Sequence, residues 1–562
     1  MRDSRFKFIG LILSSLLFIT IIILPPSENM IDSGLKVILS HSDSSVFEEL
    51  KIKDLSDVGV DNLNDIKKRA KTIYIKVPKD FSKSSIKGIT LSDKKKETLY
   101  NLFKIQANAI KSTVAIAVLM ALLWISEAIP IPVTSLLPLL LFPVLSIASL
   151  KHISFPGFFN PAHPFMHYLI ILFLASFTIA EAMKKWNLHK RISLYFLSKT
   201  EFTPYKVIFS FMLISAFLSM FISNTATTAM MLPIGIGIIV TATGSEKKSN
   251  FGRVLMLGMA YASSIGGIAT LIGTPPNVVL AGFADTLLGV KISFSNWIAI
   301  GFPITVVMLP LTFYILIKVF PIEEIDIKNS KKKIRDELKK LGKLSVGERN
   351  TLIIFVIIAL LWIFEKWIKG ILNMAWIDDA VVGVFGIFLF YLFPVKIKEW
   401  KFTMDWNSNK KLPWGTLLLF GGGLSLGTGL DKTGAASYIA RSLISLKSLP
   451  FIFLLLMVVA FMVFLTEITS NTASTNMMLP ILFTVGLTTS HNPLILMVAG
   501  AIAASMAFML PVATPPNALV FGSGYVKIGD MIRVGIYLNI AAIFIITLFV
   551  YIYPYLIPVF SF

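Results

Sequence analysis

The chain has 562 residues, of which 55% are hydrophobic and 15% charged, whereas a soluble protein would carry nearer a quarter charged. Its net charge of +20 would fit a nucleic-acid binder, but the lysines fall mostly in polar connections between apolar runs, which is the positive-inside pattern of a membrane protein. No cysteine is present, which excludes disulfides and thiolate metal sites, and the six histidines form no HExxH zinc motif.

Residues 8–24 form the first apolar run, behind Arg2, Arg5 and Lys7. The run is long enough to span a bilayer. It ends in Pro25-Pro26 without a small-x-small cleavage site, so 1–26 reads as a retained transmembrane helix rather than a signal peptide. Residues 27–106 are polar, with alternating pieces such as Thr72-Ile73-Tyr74-Ile75-Lys76-Val77. That pattern predicts a small α/β extracytoplasmic insert.

Spans follow at 108–128, 133–150 and 166–185, then an apolar block at 205–241, a span with a break at 252–284 and another at 295–320. A basic connection over 323–350 separates this first half, 107–322, from a second, 351–562. The second half has spans at 351–368, 379–395 and 413–430, a block at 450–489, an interrupted span at 493–524 and a last span at 531–555.

Arg2, Arg5 and Lys7 put the N-terminus in the cytoplasm. The block at 205–241 is basic on both flanks, so it returns to its starting side as a re-entrant hairpin or as two spans. The block at 450–489 opens to the outside, although Lys432, Arg441 and Lys447 run against that assignment. Each half then has five single spans and one returning block. Five is odd, so the second half is inverted relative to the first. The expected fold is an all-α polytopic protein of the cytoplasmic membrane. It has about eleven transmembrane helices with two re-entrant hairpins in an inverted repeat, and its C-terminus and insert lie outside.

Both halves carry the same words. Ser223-Asn224-Thr225 and Ser470-Asn471-Thr472 lie 247 residues apart, each leading into Met-Met-Leu-Pro-Ile; Thr274-Pro275-Pro276-Asn277 and Thr514-Pro515-Pro516-Asn517 lie 240 apart. Hydroxyls and amides can donate to an anion without the desolvation cost of a buried Lys or Arg. Their oxygens, with carbonyls freed where proline interrupts a helix, can equally hold sodium. A helix starting beyond the break turns its positive end to an anion. Ser, Thr and Asn in membrane helices often serve only to bond one helix to another, but two matched pairs in an inverted repeat point to a duplicated binding site.

With Trp124-Ile125-Ser126-Glu127-Ala128-Ile129-Pro130 and Pro413-Trp414-Gly415-Thr416, these motifs resemble the divalent-anion:sodium symporters, the family of sodium–dicarboxylate and sodium–citrate cotransporters. The resemblance covers roughly 1–25 and 90–562. It implies an elevator mechanism in a homodimer. It also implies sodium held by Ser219, Ser223, Asn224 and Gly273 in one half and by Thr466, Asn471 and Ala513 in the other. Substrate carboxylates would meet Asn224, Thr225, Thr274, Ser470, Asn471, Thr472 and Thr514. Residues 27–89 are additional to the family's usual short connection, and Phe173-Leu174-Ala175-Ser176-Phe177 stands where relatives often carry glycines.

Glu127, Glu181, Glu365 and Glu467 lie in or beside apolar segments, where an ionisable group is a functional candidate by default. Glu127 reads as structural, Glu181 and Glu365 as interfacial beside lysines, and Glu467 as either an ion-site neighbour or a packing residue. His167 and His189 read as interfacial. The expected activity is sodium-coupled transport of a di- or tricarboxylate such as succinate, malate, fumarate or citrate, with sodium and membrane lipid as partners and no nucleic acid. Rivals are a sodium-independent dicarboxylate exchanger, a sulfate transporter, and a receptor sensing a ligand through the 27–106 insert. No nucleophile–base set or phosphate loop argues for an enzyme.

Overall fold

The computed structural model describes residues 2–27, 30, 93–145, 147, 159–244, 249–325, 327–374, 376–442 and 447–556. The strand content expected near 72–77 lies outside the described residues. In chain order the principal helices are α1 (Arg2–Ile23), α2 (Asp93–Ser126), α3 (Ile131–Thr134), α4 (Leu137–Val144), α5 (Tyr168–Lys185), α6 (Leu188–Lys199), α7 (Pro204–Ser219), α8 (Asn224–Thr243), α9 (Asn250–Ile268) and α10 (Pro275–Leu288). They continue with α11 (Phe294–Val319), α12 (Lys328–Lys340), α13 (Val346–Leu372), α14 (Asp379–Leu392), α15 (Trp414–Thr433), α16 (Phe451–Ile468), α17 (Asn471–Thr489), α18 (Pro493–Ala503), α19 (Pro515–Gly522) and α20 (Ile528–Leu556). A two-stranded antiparallel ribbon, Pro394–Lys396 with Lys401–Phe402, follows α14.

Seven helices among the described residues are long and apolar enough to cross a membrane, and shorter apolar helices accompany them. The chain is therefore a polytopic, mostly helical membrane protein. Where the sequence placed one span at 133–150, the structure has the short α3 and α4 separated at Ser135-Leu136. Three prolines, at 132, 138 and 143, remove backbone donors there and shorten the helical runs. Residues 93–106, drawn from sequence as part of the insert, are the opening turns of α2.

The described chain forms two compact units, one of Met1–Met166, Leu418–Ser448 and Pro480–Pro493, the other of His167–Leu417, Leu449–Leu479 and Leu494–Phe562. In the first, α1 stops at Ile23, just before Pro25-Pro26, and packs on α2. The free carbonyls at its end are met by Lys111 of α2, whose Nζ donates to Ile22 O (2.9 Å) and Leu24 O (2.8 Å). A cation on a helix C-terminus satisfies both the orphan acceptors and the dipole. Gln106 Nε2 donates to Thr433 O (2.9 Å) and Ser425 Oγ to Pro161 O (2.9 Å), joining segments distant in sequence.

The second unit is organised around α9, buried along nearly its whole length. Small residues make this possible. A Cβ on Gly266 would stand 2.3 Å from Ala216 O of α7, so the two helices touch backbone to backbone, the contact that small residues permit between membrane helices. Outside the apolar helices, α12 buries Ser330 and Ile334, and its N-cap Ile327 is buried too, beneath a face of exposed lysines. Arg191 of α6 staples the following turn, donating to Leu341 O, Gly342 O and the Glu348 carboxylate.

Gly266→Ala is expected to lower the thermal unfolding midpoint of the purified protein, the strain being on the order of 1–3 kcal/mol. Gly370→Ala, with nothing within 4 Å of its Cβ position, is expected to leave the midpoint unchanged. Equal midpoints for both variants would refute the close contact.

Candidate functional site

Two helix junctions repeat the same pattern. α7 ends at Ser219 and α8 begins at Asn224, with Ser223 as N-cap, its Oγ accepting from Ala226 N (3.4 Å). α16 ends at Ile468 and α17 begins at Asn471, where Ser474 N donates to Ser470 O (2.8 Å). Serine before asparagine is a strong helix-start signal, and it overrides the apolar continuity that otherwise reads as one long run.

Across each junction the same bond forms. Ser219 Oγ donates to Asn224 Oδ1 at 2.7 Å, and Thr466 Oγ1 donates to Asn471 Oδ1 at 2.7 Å. Both pairs are separated by five residues, and they lie 247 apart. Each hydroxyl fixes the asparagine oxygen on one side and leaves the amide N–H₂ to face elsewhere.

The second motif also recurs in space. α9 stops at Ile268 and α10 starts at Pro275; α18 stops at Ala503 and α19 starts at Pro515. Thr274 and Thr514 are the extended N-caps, at φ −142°, ψ 143° and φ −141°, ψ 147°. Proline suits the first helical position because its missing N–H would be unpaired there anyway. The asparagine two residues after each N-terminal proline closes the break behind it. Asn277 Nδ2 donates to Gly267 O (3.1 Å) and Thr270 O (2.7 Å); Asn517 Nδ2 donates to Ala507 O (3.1 Å) and Leu510 O (3.1 Å). Both acceptor pairs match at the 240-residue offset. These two asparagines were legible in the motif, but the sequence assigned them no role.

In the first half, carbonyl and amide oxygens crowd around two glycines. A Cβ on Gly273 would lie 2.5 Å from Gly267 O and 2.9 Å from Ser219 O. A Cβ on Gly267 would lie 2.4 Å from Asn224 Oδ1 and 3.2 Å from Gly273 O. Ser219, Asn224 and Gly273, named from sequence, are thus brought together, and Gly267 joins them; its only sequence signal is the Gly266-Gly267 pair within an apolar helix. Such a cluster of neutral oxygens suits a hard monovalent cation better than a transition metal.

In the second half Thr466 Oγ1 also reaches Ala504 O (2.8 Å), a residue the sequence did not single out. Ala513 is buried and its N–H donates to Leu510 O (3.3 Å); no hydrogen bond joins it to Thr466 or Asn471. Thr274, Thr472 and Thr514 are buried, Ser223 and Ser470 are half-buried, and Thr225 is exposed. All of these residues belong to one unit, where α19 packs on α8 and α9, and Tyr261 Oη of α9 donates to Phe508 O at 2.6 Å.

The model of the sodium:sulfate symporter transmembrane region matches residues 105–560. The chain belongs to this symporter family. Among its relatives is the sodium-dependent dicarboxylate transporter SdcS of Staphylococcus saprophyticus, 40% identical over 447 residues, which span 78% of this chain and 85% of that one. SdcS of Staphylococcus aureus strain USA300 is 37% identical over 455 residues, 79% of this chain and 85% of that one. The YdaH transporter of Alcanivorax borkumensis aligns over 71% of this chain and 87% of its own at 10% identity and a TM-score of 0.46, a likeness too slight to carry an argument. Family membership makes the protein a transporter rather than an enzyme.

The symporter's two halves differ where their matched positions hold different residues. In the first, Thr270 Oγ1 donates to Met220 O. At the position of Met220 the second half has Glu467, 247 residues on, and its carboxylate accepts from Phe508 N (2.7 Å), Met509 N (2.9 Å), Leu510 N (3.1 Å) and Asn539 Nδ2 (2.8 Å). Those three N–H groups are free because α18 ends at Ala503, five residues before the position matching the end of α9. The longer break exposes more backbone, and one buried carboxylate collects it.

Glu181 and Glu365 pair locally with Lys184 (3.9 Å) and Lys369 (2.5 Å). His167 Nε2 lies 3.2 Å from Asp285, and His189 Nδ1 lies 3.1 Å from Met183 O. Glu127 ends α2 in a left-handed conformation, φ 47°. None of these groups joins the asparagine site.

Glu467→Ala strands four donors, each costing about 1–3 kcal/mol when buried without a partner. It is expected to lower the unfolding midpoint markedly more than Met220→Ala, whose first-half contact is made by the backbone. A Glu467→Ala midpoint equal to wild type would show that the carboxylate does not hold the break.

Proposed function

We propose that the chain carries out sodium-coupled secondary active transport of dicarboxylates such as succinate, malate and fumarate. The observation that carries the reading is the repeated hydroxyl–asparagine pair, Ser219–Asn224 and Thr466–Asn471, at two helix starts. The relatives' names supply the substrate class: proteins 37–40% identical over most of the chain are described as sodium-dependent dicarboxylate transporters.

In this reading one sodium ion sits among Ser219, Asn224, Gly267 and Gly273, with Ser223 capping the helix beside it. A second sits near Thr466, Asn471 and the carbonyl of Ala504, with Ala513 as a further oxygen donor. The asparagine amides, Thr274 and Thr514, and the hydroxyls of Ser470, Thr472 and Thr225 meet the substrate carboxylates. Each helix start contributes roughly half a positive charge. Two carboxylates together bring more negative charge than these dipoles offset, and sodium ions on the adjoining oxygens supply the remainder. Coupling follows because sodium holds Asn224 and Asn471 in the geometry that presents their N–H groups to the anion.

The reading includes an inverted repeat of 107–322 and 351–562, with re-entrant hairpins at 205–241 and 450–489 and broken helices at 252–284 and 493–524. The site-bearing helices move across the membrane as an elevator in a homodimer. The N-terminus is cytoplasmic, with the C-terminus and the 27–106 insert outside. The parity of the spans and the matched motifs support this arrangement.

Labelled succinate uptake into proteoliposomes tests the proposal. Uptake is expected only with an inward sodium gradient, and Asn224→Ala and Asn471→Ala are each expected to reduce it at least about tenfold, the equivalent of ~1.4 kcal/mol. Uptake that ignores sodium but needs internal dicarboxylate would make the protein an exchanger. In Gly267→Ala the added methyl would press on Asn224 Oδ1. Its half-saturating sodium concentration is expected to rise about tenfold, and an unchanged value would remove Gly267 from the ion site.

A further inference from the structure

α6 ends at Lys199 and α7 begins at Pro204, and between these helices and α11 lies a recess of about 470 Å³, within the roughly 300–1,000 Å³ usual for ligand pockets. Its wall is a stripe on α7, where Tyr205, Phe209 and Leu213 recur every fourth residue, closed on the far side by Phe313 of α11, whose ring centroid lies 5.2 Å from that of Phe209. Tyr205 is 47% exposed and Leu213 37%, so the described chain leaves this stripe uncovered. From Tyr205 to Leu213 the helix rises about 12 Å, a length over which an extended acyl chain can lie.

The other end of the recess is polar and positive. Lys199 and Lys206 stand at its mouth, with Thr200 Oγ1 donating to Ser210 Oγ (3.1 Å) between them. Lys206 is paired with Glu201, and that ammonium holds the Glu201 carboxyl below the usual range. Lys199 lies 5.7 Å from the centre of the Tyr195 ring and, among the described residues, forms no ion pair. Lys331 lies over Phe202 in the same connection, 5.7 Å from its centre. Two ammonium groups, Lys199 and Lys206, thus line the recess, and among the described residues only Lys206 is paired with a carboxylate. An apolar stripe alone would accept any membrane lipid, but a basic pocket at its mouth selects an anionic headgroup.

We propose that this recess binds one anionic phospholipid, its phosphate held by Lys199 and Lys206 and one acyl chain laid along Tyr205, Phe209 and Leu213. The recess lies beside α7, the helix that ends at Ser219, so a lipid wedged there bears on the helix that presents the first asparagine pair. Placing the headgroup in the cytoplasmic leaflet rests on the orientation proposed above; the preference for an anionic lipid does not.

The chain has no cysteine, so Leu213→Cys introduces a single thiol at the groove wall. The full-length variant, labelled there with bimane and reconstituted in phosphatidylcholine vesicles, is titrated with bromine-labelled phosphatidylglycerol or bromine-labelled phosphatidylcholine. Half-maximal quenching is expected at an about tenfold lower mole fraction of the anionic lipid. The preference is expected to disappear when Lys199→Ala and Lys206→Ala are added, with the unfolding midpoint unchanged. Equal quenching by both lipids, or a preference that survives the double substitution, would overturn the proposal. Disulfide-linked dimers of the unlabelled Leu213→Cys protein would overturn it too, showing that a second copy occupies the groove. The readout is independent of uptake, so an inactive transporter and an empty groove are separable results.

Discussion

Helices broken inside an apolar unit must satisfy every backbone group they release, since no lipid can bond to a free N–H or C=O. That requirement shapes the site of this protein. Asn277 and Asn517 stand on the far side of each break and bond back to its carbonyls, so the chain can unwind without stranding acceptors. The carbonyl oxygens not taken up by these amides are left for other uses. In the first half the Ser219 and Gly273 carbonyls and the Asn224 amide oxygen lie close around Gly267 and Gly273.

The two halves answer the same requirement with different chemistry. The first break is short, and its residual polar group, the Thr270 hydroxyl, finds the Met220 carbonyl. The second is longer and releases three consecutive N–H groups, which no neutral side chain could accept together. Glu467 accepts all three and an Asn539 proton besides, and it is only 3% exposed. A carboxylate in this setting is compensated by donors rather than by a cation, as buried charge requires. The duplicated motifs are therefore not energetically equivalent, and the asymmetry resides in the frame around the asparagine pairs rather than in the pairs themselves.

Close approach is the second structural condition. Gly266 lets α9 meet the Ala216 backbone of α7, and Gly267 stands beside it on α9, next to the Asn224 amide. The two glycines are neighbours in sequence, so the close approaches to the α7 backbone and to the Asn224 amide are made from adjoining positions of α9. At the polar edge, the contacts of Arg191 with the turn after α12 and with Glu348 fix α6, the helix whose last residue, Lys199, opens the lipid-sized recess.

The sequence alone determined the class of protein, the positions of most helices and the doubled motifs. Composition separates membrane from soluble chains, and serine, asparagine and proline end helices through local chemistry that acts wherever they occur. The resemblance of its motifs to the divalent-anion:sodium symporters also implied Ser219, Asn224, Gly273, Thr466 and Asn471 as candidate site residues. Only the tertiary structure decided which oxygens meet. Gly267 and Ala504 carry no distinctive side chain, and their part comes from a backbone carbonyl whose direction depends on where a helix stops. The same holds for Glu467: its spacing from Ser470 was visible, but its three backbone partners lie about forty residues ahead in a stretch that reads as helix and is not. The division of 133–150 into two short helices follows from its prolines, whereas the amphipathic α12 was set by packing, because a row of lysines is compatible with several arrangements until a neighbouring helix selects one.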